Sequence, residues 1–324
     1  MAATLADIRG LSVTYPSRKG TVTAVDAVDI SIEEGSIFGI AGESGCGKTT
    51  IGLSLLGMIR EPGHVEGRVA VNGRDVTSLR GEERRLFRWK EVSMVFQGAM
   101  NSLNPVSSVS DQITEVIIDH AGGSRREAMD RARELLRSVG LPYDILRRYP
   151  HQLSGGQKQR VVIAMAMALN PKLIIADEPT TALDVVSQEH ILRLLRDVVK
   201  ASGSTVVIIS HDLSLIAEMC DRLAVMYLGR IVESGNARDI LTSPAHPYTK
   251  ALIDSNITLD MRGKKVESIP GYPPSPVNLP LNCRFSGRCP YATAECFAND
   301  PPASTMDNGR VVYCFHPRYG NGGK

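Results

Sequence analysis

Apolar and polar positions alternate along this chain in blocks that predict strands and helices in turn. The N-terminal part begins with a predicted strand pair around Leu11–Val13 and Val28–Ile32, followed by the apolar strand Ser36–Ala41. After residue 150, the predicted order is a helix beginning after Gly155, the strand Leu173–Ala176, the helix Val186–Lys200 and the strand Thr205–Ser210. Repeated strand–helix units predict a mainly parallel sheet that helices cover.

Residues 98–152 have a different, helical pattern. Ser124 and Glu127 form a capping box that predicts the start of an amphipathic helix, and Gly140 and Pro142 predict its end. The apolar face of this helix consists of Ala128, Ala132, Leu135, Leu136 and Val139. The region therefore predicts a small helical subdomain.

The chain changes character near residue 256. The segment that follows is rich in proline, and four of the six cysteines lie in the last 42 residues. This change predicts a domain of residues 1–255 and a C-terminal extension of residues 256–324.

Composition and charge narrow the classes of function. The chain has 324 residues and is 43% hydrophobic, and its net charge of +2 gives no electrostatic reason to expect a nucleic-acid partner. The longest apolar run, Val161–Leu169, is far shorter than the about 20 residues of a membrane helix. Because the N-terminus also shows no secretory signal, we expect a cytoplasmic chain whose membrane partner, if it serves one, is a separate protein.

A glycine-rich loop carries the first chemical signal. The stretch Gly42-Glu43-Ser44-Gly45-Cys46-Gly47-Lys48-Thr49 follows an apolar strand and opens a helix predicted to end at about Ile59, before Pro62. Such a loop points backbone N–H groups inward, and the N-terminal end of the helix adds positive potential, so the loop binds phosphates. Lys48 reaches the outer phosphates, and Thr49 offers a hydroxyl to Mg²⁺.

Two carboxylates, Asp177 and Glu178, end another apolar strand. Behind a phosphate loop, the first is placed to hold Mg²⁺ and the second to orient or deprotonate an attacking water. Gln97 and His211 also follow predicted strands, so they can reach the metal or the water and the γ-phosphate, although a structural role suits each of them as well. Tyr15 can either stack on adenine or fill a buried strand end.

A second anion-binding turn lies about a hundred residues after the first. The stretch Leu153-Ser154-Gly155-Gly156-Gln157, called the signature below, opens a helix with a serine and two glycines at its N-terminus. One nucleotide has one γ-phosphate, which Lys48 already holds, so we predict that the signature binds the nucleotide of a partner chain. Each motif occurs once, and the chain therefore carries two half-sites.

Over residues 5–255, these motifs resemble the ATPase subunits of ATP-binding-cassette (ABC) transporters. The phosphate loop, Gln97, the signature, Asp177-Glu178, Ala182-Leu183-Asp184 and His211 stand in the order of that family. The resemblance implies an α/β fold with a P-loop NTPase (RecA-like) core, an antiparallel β subdomain and an inserted helical subdomain, here with a Pro/Cys-rich C-terminal extension. It also implies two cassettes stacked head to tail, with each ATP between the phosphate loop of one and the signature of the other.

The same resemblance assigns roles to individual residues. Glu178 is implied as the catalytic base, His211 as the γ-phosphate contact and Gln97 as a coupling residue, and Asp184 belongs to the D-loop. The implied ATP-binding residues are Tyr15 as the adenine platform, Gly42, Glu43, Ser44, Gly45, Cys46, Gly47, Lys48, Thr49, Thr50 and Gln97, and Mg²⁺ is held through Thr49, Gln97 and Asp177.

A narrower resemblance is to the oligopeptide/dipeptide importer ATPases. It rests on Asn101–Pro105, Ala245–Leu252 and Ile269–Gly271, and one departure is Gly98, where many members carry an acidic residue. The implied machine imports di- or oligopeptides and contains a second ABC ATPase in a heterodimer, two membrane permease subunits and an extracytoplasmic solute-binding protein. The chain then lies on the inner face of the cell membrane. Oligosaccharides and nickel are alternative cargoes in this mixed group.

The cysteines of the extension predict a metal centre. Cys283, Cys289, Cys296 and Cys314 lack the short C-x₂₋₄-C pair typical of zinc sites, and their spacing suits a [4Fe–4S] cluster better than zinc, with unliganded buried thiols as a further alternative. The resemblance to the importer ATPases also implies such a cluster. A metal centre would stabilise a proline-rich segment that has little core of its own.

Two other classes of function are compatible with parts of the pattern. A cytosolic ATP-gated clamp acting on DNA or ribosomes usually has two cassettes or a long coiled coil, and the sequence predicts neither. An iron–sulfur redox sensor with a secondary ATPase is the other alternative. The transport ATPase accounts for both the motifs and the C-terminal stretches.

Overall fold

The structure, a computed structural model, describes residues 3–98, 102–181, 183–213, 216, 219–255 and 269–317. Its strands are β1 (Thr4–Ser17), β2 (Gly20–Glu33), β3 (Ile37–Ala41), β4 (His64–Val71), β5 (Arg74–Asp75), β6 (Val92–Val95), β7 (Leu173–Asp177), β8 (Thr205–Ser210), β9 (Arg222–Tyr227), β10 (Arg230–Asn236), β11 (Ala303–Thr305) and β12 (Val311–Tyr313). Its helices are α1 (Lys48–Leu55), α2 (Gly81–Lys90), α3 (Val109–Ala121), α4 (Arg125–Ser138), α5 (Gly155–Ala166), α6 (Val185–Ser202), α7 (Ala237–Thr242), α8 (Pro247–Ser255) and α9 (Ala294–Ala298). Asn101, Ala182 and the predicted boundary at residue 256 lie outside the described residues.

The strands form two sheets. The smaller sheet is antiparallel, with the order β2-β1-β4-β5, and contains the predicted N-terminal strand pair. The larger sheet has the order β11-β12-β10-β9-β3-β8-β7-β6. Its strands from β9 to β6 are parallel, as the strand–helix alternation predicts, whereas β10, β12 and β11 add an antiparallel edge.

Alternate residues of the parallel strands enter two different cores. Ile174 and Ile208 pack into a core that includes the buried faces of α3, α4 and α5, whereas Ile175 and Ile209 pack into a core shared with α1 and the small sheet. Since neighbouring side chains of a strand point to opposite faces, this division means that both faces of the large sheet are covered. In the described ranges, no helix combines the length and the apolar composition that crossing a bilayer requires.

The helix after the phosphate loop is shorter than the sequence predicts. The sequence predicts a helix to about Ile59, but α1 ends at Leu55. Gly57 adopts a φ of +62° and donates its N–H to Ser54 at 3.1 Å, while Met58 donates to Leu53 at 2.8 Å. This is a Schellman motif, so the glycine ends the helix before the proline is reached.

The helical region contains α3, α4 and two 3₁₀ turns at Tyr143–Arg147 and Pro150–Gln152. The capping box of α4 is confirmed, since Ser124 N–H donates to Glu127 at 2.8 Å and Glu127 N–H donates back to the serine hydroxyl at 3.3 Å. The predicted apolar face of α4 is buried. Local capping and periodicity therefore determine this part of the fold.

The described part of the C-terminal extension is attached to the α/β unit. β12 pairs with β10 through the partners Glu233↔Val312 and Ser234↔Val311. Arg310, just before β12, bonds the fully buried carboxylate of Glu233 at 3.3 Å and the carbonyl oxygen of Ser243 at 2.6 Å. Residues 303–313 therefore complete the edge of the main sheet.

Candidate nucleotide-binding site

Four loops meet at the carboxyl edge of the parallel strands. The phosphate loop follows β3, Gln97 lies two residues after β6, Glu178 follows β7 and His211 follows β8. In parallel sheets, ligands bind in the crevice outside this edge. These loops line one cavity of about 400 Å³, formed by Ala24, Ser44, Gly45, Gly47, Lys48, Thr49, Thr50, Gln97, Asp177, Glu178, Thr181 and His211. The structure thus brings together predicted residues from all four loops.

Backbone geometry explains the glycines of the phosphate loop. Gly47 has a φ of +106°, and a Cβ atom there would lie 2.0 Å from the carbonyl oxygen of Ala24. Gly42 has a φ of +156°, and its Cβ atom would lie 2.2 Å from the carbonyl oxygen of Met226. Only glycine lacks a Cβ atom. The close approach of the loop to β9 and β2 therefore requires glycine at both positions.

Lys48 lies at the centre of the loop. Its side chain is buried, and its ammonium group donates to the carbonyl oxygens of Gly42 at 2.8 Å and Glu43 at 3.0 Å. No side chain caps the N-terminus of α1, which begins at this residue. Uncapped N–H groups beside an oriented ammonium group form an anion-binding site suited to phosphates.

The carboxylate of Asp177 fits a cation. Its side chain is only 1% exposed, and neither oxygen has a hydrogen-bond partner among the described residues. Burial raises the pKa of this carboxyl. Thr49 and Gln97 line the same cavity, so a set of oxygen donors of the kind that Mg²⁺ prefers is present.

Glu178 is held in a strained backbone conformation and is paired with His211. Its φ is +50°, which is uncommon for a residue other than glycine, and its N–H donates to Ile209 at 2.9 Å. The carboxylate accepts the backbone N–H of His211 at 3.1 Å and lies 2.9 Å from the imidazole Nδ1. Strain of this kind is found at functional sites, where surrounding contacts maintain it.

Sequence reasoning missed part of this arrangement. The pairing of Glu178 with His211 joins residues from two strands, and neither motif alone predicts it. Thr181, whose hydroxyl donates to Glu178 at 3.3 Å, was not predicted as a site residue. Its position three residues after the glutamate, in the same turn, was the available signal.

Tyr15 lies outside the residues that line the cavity. It is part of β1 and is partly buried against the core of the small sheet, with its ring beside Gly63. Burial raises the pKa of its phenol. Its proposed stacking on adenine stays a prediction.

The signature also lies outside the cavity that its own phosphate loop forms. Ser154 caps α5 and forms a capping box with Gln157. Gly155, the first residue of the helix, is exposed. Gly156 lies beside Ser187, whose N–H donates to Asp184 at 2.9 Å and lowers the pKa of that carboxyl. The signature and the D-loop residue therefore share one surface of the chain.

The four cysteines of the extension line a second, small cavity. Its volume is about 20 Å³, and Cys283, Cys289, Cys296 and Cys314 surround it together with Phe285. None of the six cysteines forms a disulfide, and burial raises the pKa of Cys314 to about 11. Within the described ranges, however, no three His, Cys, Asp or Glu side chains are placed to hold a metal ion, which does not support the predicted metal centre.

Comparison with known proteins shows similarity over nearly the whole chain. Residues 25–181 match the ABC transporter family, and residues 232–296 match the C-terminal region of oligopeptide/dipeptide transporters. The chain is 42% identical over 317 residues to the oligopeptide transport ATP-binding protein AppD of Bacillus subtilis (strain 168), covering 97% of each chain. It is also 42% identical over 316 residues to the dipeptide transport ATP-binding protein DppD of Escherichia coli (strain K12), again covering 97% of each.

Solved structures agree with the fold. The dimeric post-hydrolysis state of the ATP-binding cassette MJ0796, bound to ADP and Pi, superposes with a TM-score of 0.65 at 30% identity, covering 72% of this chain and 99% of that chain. A second dimeric structure of the same cassette gives a TM-score of 0.65 at 31% identity, covering 72% of this chain and 99% of that chain. Together with the nearly full-length relatives, these matches show that the chain belongs to the ABC transporter family and is an ATP-hydrolysing subunit of the oligopeptide/dipeptide group.

Proposed function

We propose that this chain hydrolyses ATP to drive the import of di- or oligopeptides through a separate membrane permease. The observation that carries the proposal is the similarity of nearly the whole chain, including residues 232–296, to oligopeptide and dipeptide transport ATP-binding proteins. The proposed partners are a second ABC ATPase in a heterodimer, two permease subunits and an extracytoplasmic solute-binding protein. The chain then lies on the inner face of the cell membrane.

The proposed nucleotide site is shared between two chains. The N-terminus of α5 is exposed and lies outside the chain's own cavity, and helix N-termini favour anions, so a partner's nucleotide is the ligand that it suits. The related cassette, at 30% identity, was solved as a dimer with ADP and Pi. In this arrangement Ser154 and Asp184 face the partner's phosphate loop, and Tyr15 supports the adenine.

The geometry suggests how hydrolysis proceeds. Lys48 and the N–H groups of the phosphate loop bind the phosphates, and Thr49, Gln97 and Asp177 would hold Mg²⁺, which neutralises phosphate charge when bound. Glu178 lies in the same cavity and orients and deprotonates the attacking water. His211, at 65% side-chain exposure, can leave the glutamate and contact the γ-phosphate.

Uptake measurements test the cargo. In cells that lack this chain, we expect the uptake of labelled di- and oligopeptides to fall to background and to return with the wild-type chain. A Glu178→Gln chain, which keeps the fold but not the proposed base, is the matched control and should not restore uptake. Loss of oligosaccharide or nickel uptake, with peptide uptake unchanged, would assign a different cargo.

We also propose that the extension, residues 256–324, binds a [4Fe–4S] cluster through Cys283, Cys289, Cys296 and Cys314. Four thiols around one cavity are the donor set that such clusters use. No three of these side chains are placed to hold a metal ion in the described ranges, so they must rearrange to hold a cluster. The proposed role is structural or regulatory.

Metal analysis of anaerobically purified protein tests this proposal. We expect about four irons and four sulfides per chain, with broad visible absorbance, for the wild type. Cys289→Ser should lose them, whereas Cys220→Ser, at a buried cysteine outside that cavity, should retain them. Iron-free protein, zinc in place of iron, or equal loss in both variants would contradict the cluster.

A further inference from the structure

A buried arginine of the C-terminal extension contacts the phosphate loop directly. Arg288 ends the 3₁₀ turn Ser286–Arg288, and its side chain is 6% exposed. Its Nη1 donates to Glu43 Oε2 at 2.7 Å, and its Nη2 donates to Glu43 Oε1 at 3.0 Å. Two parallel bonds between a guanidinium and a carboxylate define both the distance and the orientation of the pair.

Contacts outside the phosphate loop also hold the Arg288 side chain in place. Its Nε donates to the carbonyl oxygen of Pro270 at 2.8 Å, and its Nη1 also donates to the Tyr227 hydroxyl at 3.3 Å. The guanidinium carbon lies 5.7 Å from the centre of the Tyr227 ring. The extension and β9 therefore hold the side chain in one position.

Glu43 in turn is connected to the lysine that binds phosphate. Its N–H donates to the Tyr248 hydroxyl at 2.9 Å, and its carbonyl oxygen accepts a hydrogen bond from Lys48 Nζ at 3.0 Å. Because its carboxylate binds Arg288, the N–H group, the carbonyl oxygen and the side chain of Glu43 all have hydrogen-bond partners. A substitution of Arg288 can therefore shift the Lys48 ammonium group through Glu43 alone.

We infer that Arg288 is a positioning residue of the nucleotide site, which holds the phosphate loop and Lys48 in their binding geometry through Glu43. The inference does not depend on the transported cargo. An alternative is that the ion pair only attaches the extension to the rest of the fold. In that case its loss would lower stability without any specific effect on ATP.

Arg310 offers a matched control for this alternative. Its side chain is also 6% exposed, it also belongs to the extension, and it pairs with the buried Glu233. Neither member of that pair belongs to the phosphate loop or lines the nucleotide cavity. Arginine-to-lysine changes keep the charge at both positions; the change at Arg288 loses the two-bond contact with Glu43, and the change at Arg310 loses the single bond to Glu233.

The test measures Mg·ATP binding to the full-length chain by displacement of a fluorescent ATP analogue, together with ATPase kinetics and thermal melting. For Arg288→Lys we expect Kd and KM for ATP to rise about tenfold, with kcat within about twofold, because a bidentate charged contact is lost. Arg310→Lys should lower the melting temperature and leave Kd unchanged. Glu43→Gln should match Arg288→Lys, and the double variant should be no worse than either single one.

Two outcomes would overturn the inference. One is an equal, small change in ATP affinity for Arg288→Lys and Arg310→Lys. The other is unchanged affinity in a folded Glu43→Gln protein, which decides the question even if the arginine variant fails to fold, since glutamine is almost isosteric with glutamate.

Discussion

Glu178→Gln is expected to bind ATP with unchanged affinity and to hydrolyse it about 10²–10⁴ times more slowly. The carboxylate lies in the candidate nucleotide cavity, whereas Lys48 and the N–H groups of the loop are the proposed phosphate ligands. Glutamine keeps the size of the side chain and can still accept the N–H of His211, so the loop should stay folded. Phosphate release at saturating ATP measures the loss, and a dimer that persists with ATP on size-exclusion chromatography shows the trapped state.

The matched control is Glu189→Gln, an exposed glutamate of α6 whose carboxylate pairs with Arg193 on the helix surface. It removes the same charge outside the cavity, and its turnover should equal that of the wild type. Normal hydrolysis by Glu178→Gln would exclude this glutamate as the base and leave His211 as the candidate to test next.

Ser154→Arg is expected to bind ATP normally and to lose at least about tenfold in hydrolysis, because the serine is proposed to contact the nucleotide of the partner. Lys48→Ala should instead lose ATP binding itself, since it removes the charged contact within the chain's own cavity. Comparing Kd and phosphate release for the two variants in the assembled transporter separates the two half-sites.

The effect of helix capping needs its own control, because Ser154 is also the N-cap of α5. Ser124 caps α4 with the same two-way capping box, and Ser124→Arg removes an equivalent cap, a change of about 1 kcal/mol in helix stability. That variant should hydrolyse ATP at the normal rate. If a solitary Ser154→Arg chain turned over ATP as fast as the wild type, the shared site would be wrong.

The sequence predicts most of the fold where the signals are local. The alternation of strands and helices predicts the parallel core, and the Ser124–Glu127 pair predicts the start of α4. The sequence predicts too long an α1, because Gly57 adopts a positive φ and ends the helix before Pro62 is reached. Both signals are local, and Gly57, which comes before Pro62 along the chain, determines where α1 ends.

Contacts between distant residues explain what could not be predicted. The motifs place Glu178 and His211 at one edge of the sheet, but their hydrogen bond depends on two loops folding against each other. The bond from Arg288 to Glu43 crosses 245 positions of sequence, and no periodicity or motif marks it. The candidate site could thus be located from the sequence, whereas the contacts that support it required the structure.

The short hairpin β11–β12 has a practical consequence for anyone who shortens this chain. It pairs with Glu233 and Ser234 on the outer side of β10, and Arg310 forms an ion pair with the buried Glu233. A chain that stops before residue 303 would leave that strand as an unprotected edge and would remove the arginine that pairs with Glu233. Bare edges recruit strands from other molecules, so such a truncated protein should precipitate or form aggregates on expression.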